Sequence, residues 1–99
     1  MVFDERALEE INELKPEIRE EFYYLINVLK KEGRLAEPEA KKLDRNLYEI
    51  RVRIKTTWRG FYAYINTNQI IILRIFQKQS QSTPFREIQT ANKRLKQYL

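Results

Sequence analysis

The first third of the chain carries its apolar residues at helical spacing. Ala7, Leu8, Ile11 and Leu14 recur three or four apart, and Asp4 stands ahead of them as an N-cap. This predicts a helix from Glu5 to about Leu14. Pro16 suits the first position of a second helix and Gly33 its C-terminal stop. Between them Ile18, Phe22, Leu25, Ile26 and Leu29 form one stripe, with Glu17, Glu20, Glu21, Lys30 and Lys31 on the other face. Two helices joined at Lys15-Pro16 predict an antiparallel hairpin. Residues 34–46 hold Pro38 and keep no period, so they read as a loop.

The period then changes to two. In Leu47–Lys55, Tyr48, Ile50, Val52 and Ile54 point one way, and Glu49, Arg51, Arg53 and Lys55 the other. Thr56-Thr57 reads as a connection, Trp58 to Ile65 as a second strand, and Asn66-Thr67-Asn68 as a turn. Gln69 to Lys78 is a third strand, apolar on both faces for most of its length and hence central or doubly covered. Strict alternation puts Ile70, Ile72, Arg74, Phe76 and Lys78 on one face of it. Thr83-Pro84 signals a last helix, with Ile88, Ala91, Leu95 and Tyr98 or Leu99 packing, and Arg86, Lys93, Arg94 and Lys96 outside. The expected architecture is α+β: an N-terminal helical hairpin on a small, twisted antiparallel sheet, with a C-terminal helix. Any strand before Asp4 is very short. Residues 1–99 read as one domain.

Composition narrows the chemistry. The chain has no Cys and no His, which excludes disulfides, thiolate zinc sites, Cys nucleophiles and the Ser-His-Asp triad. Its only glycines are Gly33 and Gly60, so it has no phosphate-cradling glycine loop. Paired carboxylates are missing as well. No cofactor or metal is expected. No apolar run approaches the roughly 20 residues of a bilayer span, and the expected location is cytoplasmic, away from membranes. Residues 1–40 hold 6 basic and 11 acidic side chains, whereas residues 41–99 hold 13 basic and 3 acidic. A domain polarised this way suits a polyanionic partner.

The candidate residues lie in that basic half. Arg51, Arg53 and Lys55 alternate along one strand face, about 7 Å apart. Like charges so arranged cost stability unless an anion lies across them or salt bridges to the acidic helices offset them. Arg59 opens the next strand near their end of the hairpin. Arg74 interrupts an apolar run, where an unpaired buried charge is costly, so it is expected to reach out of the sheet to a partner or ligand, with a structural ion pair as the alternative. Trp58, at a strand edge beside Arg59, is a candidate for base stacking; Tyr62 and Tyr64 share a face that suits either core or stacking.

Several of these segments together resemble a known family. They are the opening Phe-Asp-Glu-Arg-Ala-Leu-Glu-Glu, the helix Pro-Glu-Ile-Arg-Glu-Glu-Phe, Leu47-Tyr48-Glu49-Ile50-Arg51-Val52-Arg53 and Trp58-Arg59-Gly60-Phe61-Tyr62. In that order they resemble the RelE/ParE superfamily of type II toxins. Phe76-Gln77-Lys78-Gln79-Ser80-Gln81-Ser82-Thr83-Pro84, followed by Glu87-Ile88 and Ala91, is similar to its HigB, phage Gp49-like branch. The resemblance implies a RelE-like fold and a ribosome-dependent mRNA endonuclease, an mRNA interferase that inhibits translation. It implies a cognate antitoxin, in this branch usually a HigA-like helix-turn-helix protein, with DNA reached only through the toxin–antitoxin complex. The family's cationic positions fall on Arg51, Arg53, Arg59 and Lys78. A superfamily catalytic Lys position falls on Glu49, and Arg74 stands where the branch often has His.

The chemistry follows from RNA itself, whose 2′-OH attacks the adjacent phosphorus once aligned. Arg51 and Arg59 are expected to neutralise the developing phosphorane charge. Lys55 or Lys78, Glu49, a Tyr or a ribosomal group is left as proton acceptor. Arg53, Arg74, Trp58, Arg86 and Lys93 are the expected RNA contacts. The alternatives are a ParE-like toxin acting on gyrase and a degenerate module that binds RNA or antitoxin without cutting.

Overall fold

The computed structural model of the protein describes residues 2–36, 39–66, 69–78 and 85–99. Strand β1 (Val2–Phe3) leads into helix α1 (Glu5–Asn12) and helix α2 (Pro16–Glu32). Asp4 caps α1 as expected, its carboxylate accepting the Arg6 N–H at 2.9 Å. Gly33 closes α2 in the left-handed region, at φ 79°, and donates its N–H to the Leu29 carbonyl. Strands β2 (Ala40–Asp44), β3 (Leu47–Ile54), β4 (Thr56–Ile65) and β5 (Gln69–Gln77) follow, then helix α3 (Phe85–Leu95) and a 3-10 turn over Lys96–Tyr98. The expected Thr83-Pro84 helix start lies outside the described residues.

The sheet is larger than the three-stranded meander read from the sequence. Its order is β1-β5-β4-β3-β2. Residues 40–44, expected as loop, form an edge strand antiparallel to β3, with Lys41 opposite Glu49 and Ala40 opposite Ile50. A buried Ala40 among exposed Lys41, Lys42 and Asp44 gives too little apolar signal to announce a strand. On the other edge β1 pairs parallel to β5, so the sheet is mixed rather than wholly antiparallel. The connection between β3 and β4 is a tight reversal at Lys55, which takes a left-handed φ of 61°, and β4 begins at Thr56 rather than Trp58.

The two sheet faces carry separate cores. Ile50, Val52, Tyr62, Ile70, Ile72 and Ile75 pack under α1 and α2 against Ile11, Ile18, Phe22 and Leu29. Leu47, Phe61, Ala63, Ile71, Leu73 and Phe76 pack under α3 against Ala91 and Leu95. Both faces of β5 are therefore covered, as its unbroken apolar run requires. The strict alternation expected for β5 fails at one point. Phe61 pairs with Arg74 but Tyr62 pairs with Ile72, so Leu73 is an inserted residue and β5 carries a bulge. Beyond it the faces exchange: Ile75 joins Ile70 and Ile72, while Phe76 joins Ile71 and Leu73. Among the described residues no helix is long and apolar enough to cross a membrane.

Candidate functional site

The α3 core covers only part of its sheet face. At the other end of that face β3 contributes Glu49, Arg51 and Arg53, and β4 contributes Arg59 opposite Arg51. Glu49 is the centre of the group. Its carboxylate is wholly buried and bridges two arginines, Oε1 at 2.7 Å from Arg51 Nε and Oε2 at 2.9 Å from Arg59 Nη1. Arg59 is itself only 4% exposed. Arg51 is half-buried with its outer edge toward solvent, and Arg53 is exposed.

Lys78 completes the group from the end of β5. Its N–H donates to the Thr57 carbonyl at 2.8 Å, which continues the β4–β5 ladder past Trp58 and Gln77. Its ammonium pKa is pushed below the usual lysine value, first by partial desolvation and then by the charges of Arg59 and Arg51. Glu49 opposes that shift and Arg53 adds to it. Strict alternation would have sent Lys78 to the helix-hairpin face with Ile70 and Ile72. The bulge is what turns it to the arginines.

The bulge is itself held by side chains. Glu10 of α1 accepts the Ile75 N–H at 3.0 Å, and Arg94 of α3 donates to the Leu73 carbonyl at 2.8 Å. Arg94 and Glu10 also form a two-pronged ion pair at 3.0 and 3.2 Å. Arg74 lies 2.7 Å from Glu10 and makes a fork to Glu87 at 2.9 and 3.1 Å. This network ties α1, β5 and α3 together.

Not all the expected residues converge. Arg51, Arg53, Arg59 and Lys78 form one cluster. Arg74 was expected to reach out to a ligand; it instead holds two carboxylates, because Glu10 and Glu87 come to it from both flanking helices. Arg94, expected on the outer face of α3, turns inward for the same reason. Lys55 sits on the exposed β3–β4 tip rather than on the cationic face. Trp58 pairs with Val52 and lies on the helix-hairpin face. Trp58 and Lys55 line a groove of about 420 Å³ with Leu14, Ile18 and Ile54. The Trp58 indole N–H donates to Thr56 Oγ1 there, on the side of the sheet away from Arg59. Tyr62 and Tyr64 belong to a packed tyrosine group with Tyr48, and burial raises the pKa of both. Arg86 and Lys93 are exposed on α3. Lys41, within the segment expected as loop, faces the cluster from β2 as the register partner of Glu49. Its signal was a lysine pair one residue after a buried alanine, too weak to place a strand. Among the described residues no three acidic side chains gather as metal ligands.

Solved structures with this arrangement of elements exist. One is a mutant of the E. coli toxin RelE in the free state, with a TM-score of 0.69, 20% identity, and coverage of 100% of this chain and 97% of that one. Another is the RelB-RelE antitoxin-toxin complex from Methanococcus jannaschii, with a TM-score of 0.62, 19% identity, and coverage of 78% and 89%. The fold is thus the RelE fold. Residues 9–96 match the model of the family described as phage derived protein, Gp49-like, and the chain belongs to that family, as its sequence motifs led one to expect. No curated protein matches it.

Proposed function

We propose that this protein is the toxin of a type II toxin–antitoxin pair and that it cuts mRNA on the ribosome. The observation that carries this reading is the Glu49-centred cluster, in which four cations surround one carboxylate at the open end of a RelE-type sheet. Arg51 and Arg53 present guanidinium edges to solvent, and Arg forks match phosphate oxygens. Arg59, nearly inaccessible, supplies positive potential from beneath and fixes Glu49. Lys78, with its lowered pKa, is the proton acceptor.

The reaction needs no cofactor group. The 2′-OH loses its proton to the Lys78 amine and its oxygen bonds to phosphorus. The P–O5′ bond breaks, and the 5′-oxygen takes a proton from water as it leaves. The products are a 2′,3′-cyclic phosphate and a 5′-hydroxyl end. The cluster acts by aligning the nucleophile and stabilising charge on the phosphorane oxygens.

A partner antitoxin fits the same charge distribution, since an acidic segment over the cluster would mask it. A helix-turn-helix, HigA-like partner, cytoplasmic location and contact with DNA only through that partner belong to the same reading.

The test is cleavage of a defined mRNA in a reconstituted translation system, mapped by primer extension, with and without ribosomes. Codon-phased cuts are expected with ribosomes, lost in Arg51→Ala, and deprived of their pH dependence in Lys78→Ala. Intact mRNA in the presence of folded, antitoxin-free protein would refute the nuclease, and supercoiling by purified gyrase would then be assayed.

A further inference from the structure

Lys78 reaches the cluster only because β5 contains an inserted residue, and an inserted residue leaves a backbone donor without its ladder partner. Two residues past the inserted Leu73, Ile75 is in register with Gly60, and its N–H turns to a side chain at the outer edge of β5. Its acceptor is a side chain 65 residues away, Glu10 Oε1 at 3.0 Å. β1 covers the outer edge of β5 only as far as Ile72, where the Asp4 N–H donates to the Ile72 carbonyl. Past that point the edge is closed by Glu10 and Arg94.

We propose that Glu10, on the helical hairpin, is a positioning residue for the cation cluster: its carboxylate holds the Leu73 bulge that turns Lys78 onto the face of Arg51 and Arg59. The inference rests on the reading of Lys78 as part of the reactive group. Glu10 touches no cluster residue itself. It acts through the Ile75 N–H and through the arginine pair that brackets the bulge, Arg74 at 2.7 Å and Arg94 at 3.0 Å. Regular pairing would satisfy the Ile75 N–H within the ladder, at the cost of returning Lys78 to the opposite face. A partly buried carboxylate at that donor removes the advantage of regular pairing.

Two substitutions separate contact from charge. Glu10→Gln keeps an oxygen within reach of the Ile75 N–H and loses the charge. Glu10→Asp keeps the charge and withdraws the oxygen by one methylene. The readout is the titration of the Lys78 side chain by NMR in 13C-lysine-labelled protein, assigned with Lys78→Arg and recorded without RNA. The charged groups facing Lys78 are Arg59 from β4 and Arg51, Arg53 and Glu49 from β3, and both variants leave them in place.

The Lys78 titration is expected to stay depressed in Glu10→Gln and to move up toward an ordinary lysine in Glu10→Asp, with cleavage falling at least about tenfold in Glu10→Asp alone. The reverse pattern would show that Glu10 works by charge on Arg74 and Arg94, and would overturn the proposal. Wild-type titration in both variants would overturn it too. Because the titration needs no substrate, a protein that cuts no RNA would sink the nuclease reading while leaving the positioning of Lys78 to be decided separately.

Discussion

Glu49→Gln tests the central claim about the cluster, that one buried carboxylate keeps it folded. The wild-type carboxylate is wholly buried and 2.9 Å from an arginine that is 4% exposed. Removing the charge from one member of such a buried pair costs about 3–5 kcal/mol. An amide oxygen still accepts one bond, which places the expected loss near the lower end, about 3 kcal/mol. A domain of this size has roughly 5–15 kcal/mol in total and shifts about 4–8 °C per kcal/mol, so a fall in Tm of at least about 12 °C is expected. Urea unfolding followed by the fluorescence of Trp58, the only tryptophan, would measure it. Glu87→Gln is the comparison. It breaks a fork whose two side chains are 20–23% exposed, and about 1 kcal/mol is expected. Replacing both buried partners, Glu49→Gln with Arg59→Met, should recover part of the loss, since the buried guanidinium is then gone and only the half-buried Arg51 has lost its carboxylate. A loss under about 1 kcal/mol for Glu49→Gln, or a double variant worse than the single, would refute the buried-pair reasoning.

Three further outcomes are expected. Gly60→Ala places a methyl 3.1 Å from Cε1 of the fully buried Phe22, which cannot give way cheaply, so a loss of about 1–2 kcal/mol should appear in urea titrations. Lys55→Gly relieves a left-handed side chain at the β3–β4 tip, and a small gain in stability of about 0.5 kcal/mol is expected by the same assay. Burial pushes the Asp4 carboxyl up, but hydrogen bonds from Arg6 and Tyr98 outweigh it and hold its pKa at about 2 rather than 3.8. Its ionisation therefore contributes stability above pH 3.8 that is lost as pH falls through about 2. Asp4→Asn should cost about 2 kcal/mol at neutral pH and progressively less toward pH 2, as read from unfolding curves across that range.

The regular parts of the molecule were readable from the sequence. Both helices of the hairpin, the faces of β3 and the doubly covered β5 follow from periods of 3.6 and 2 together with Asp4, Pro16 and Gly33. Glu49, Arg51 and Arg53 fall on one face because β3 keeps strict alternation. Two kinds of feature were not readable. The edge strands β1 and β2 bury too little surface to leave a pattern, and each is fixed by a neighbour distant in sequence. The bulge in β5 breaks the period inside an all-apolar run, where a shift of one residue changes no local hydrophobicity. Alternation therefore placed Lys78 on the wrong face, and the sequence does not show that Glu10 and Glu87 come to Arg74 from two helices.

The same bulge changes the meaning of the charge asymmetry. Read along the chain, an acidic first half and a basic second half look like two surfaces. In the fold, Glu10 from the acidic half and Glu49 and Glu87 from the basic half are spent on Arg51, Arg59, Arg74 and Arg94. Those four arginines build the sheet end and attach α3. Among the cations of the cluster, Arg53 and Lys78 hold no carboxylate within ion-pair distance among the described residues, and Lys41 faces them from β2. On the proposed reading a polyanion would meet those charges first, on a frame that the other arginines hold through their ion pairs. Electrostatic catalysis depends on such preorganisation, because charges fixed before the substrate arrives need no reordering as the phosphorane forms. If the cluster cuts RNA, loosening the frame at Glu10 or Glu49 should lower the rate without altering the residues that touch the phosphate.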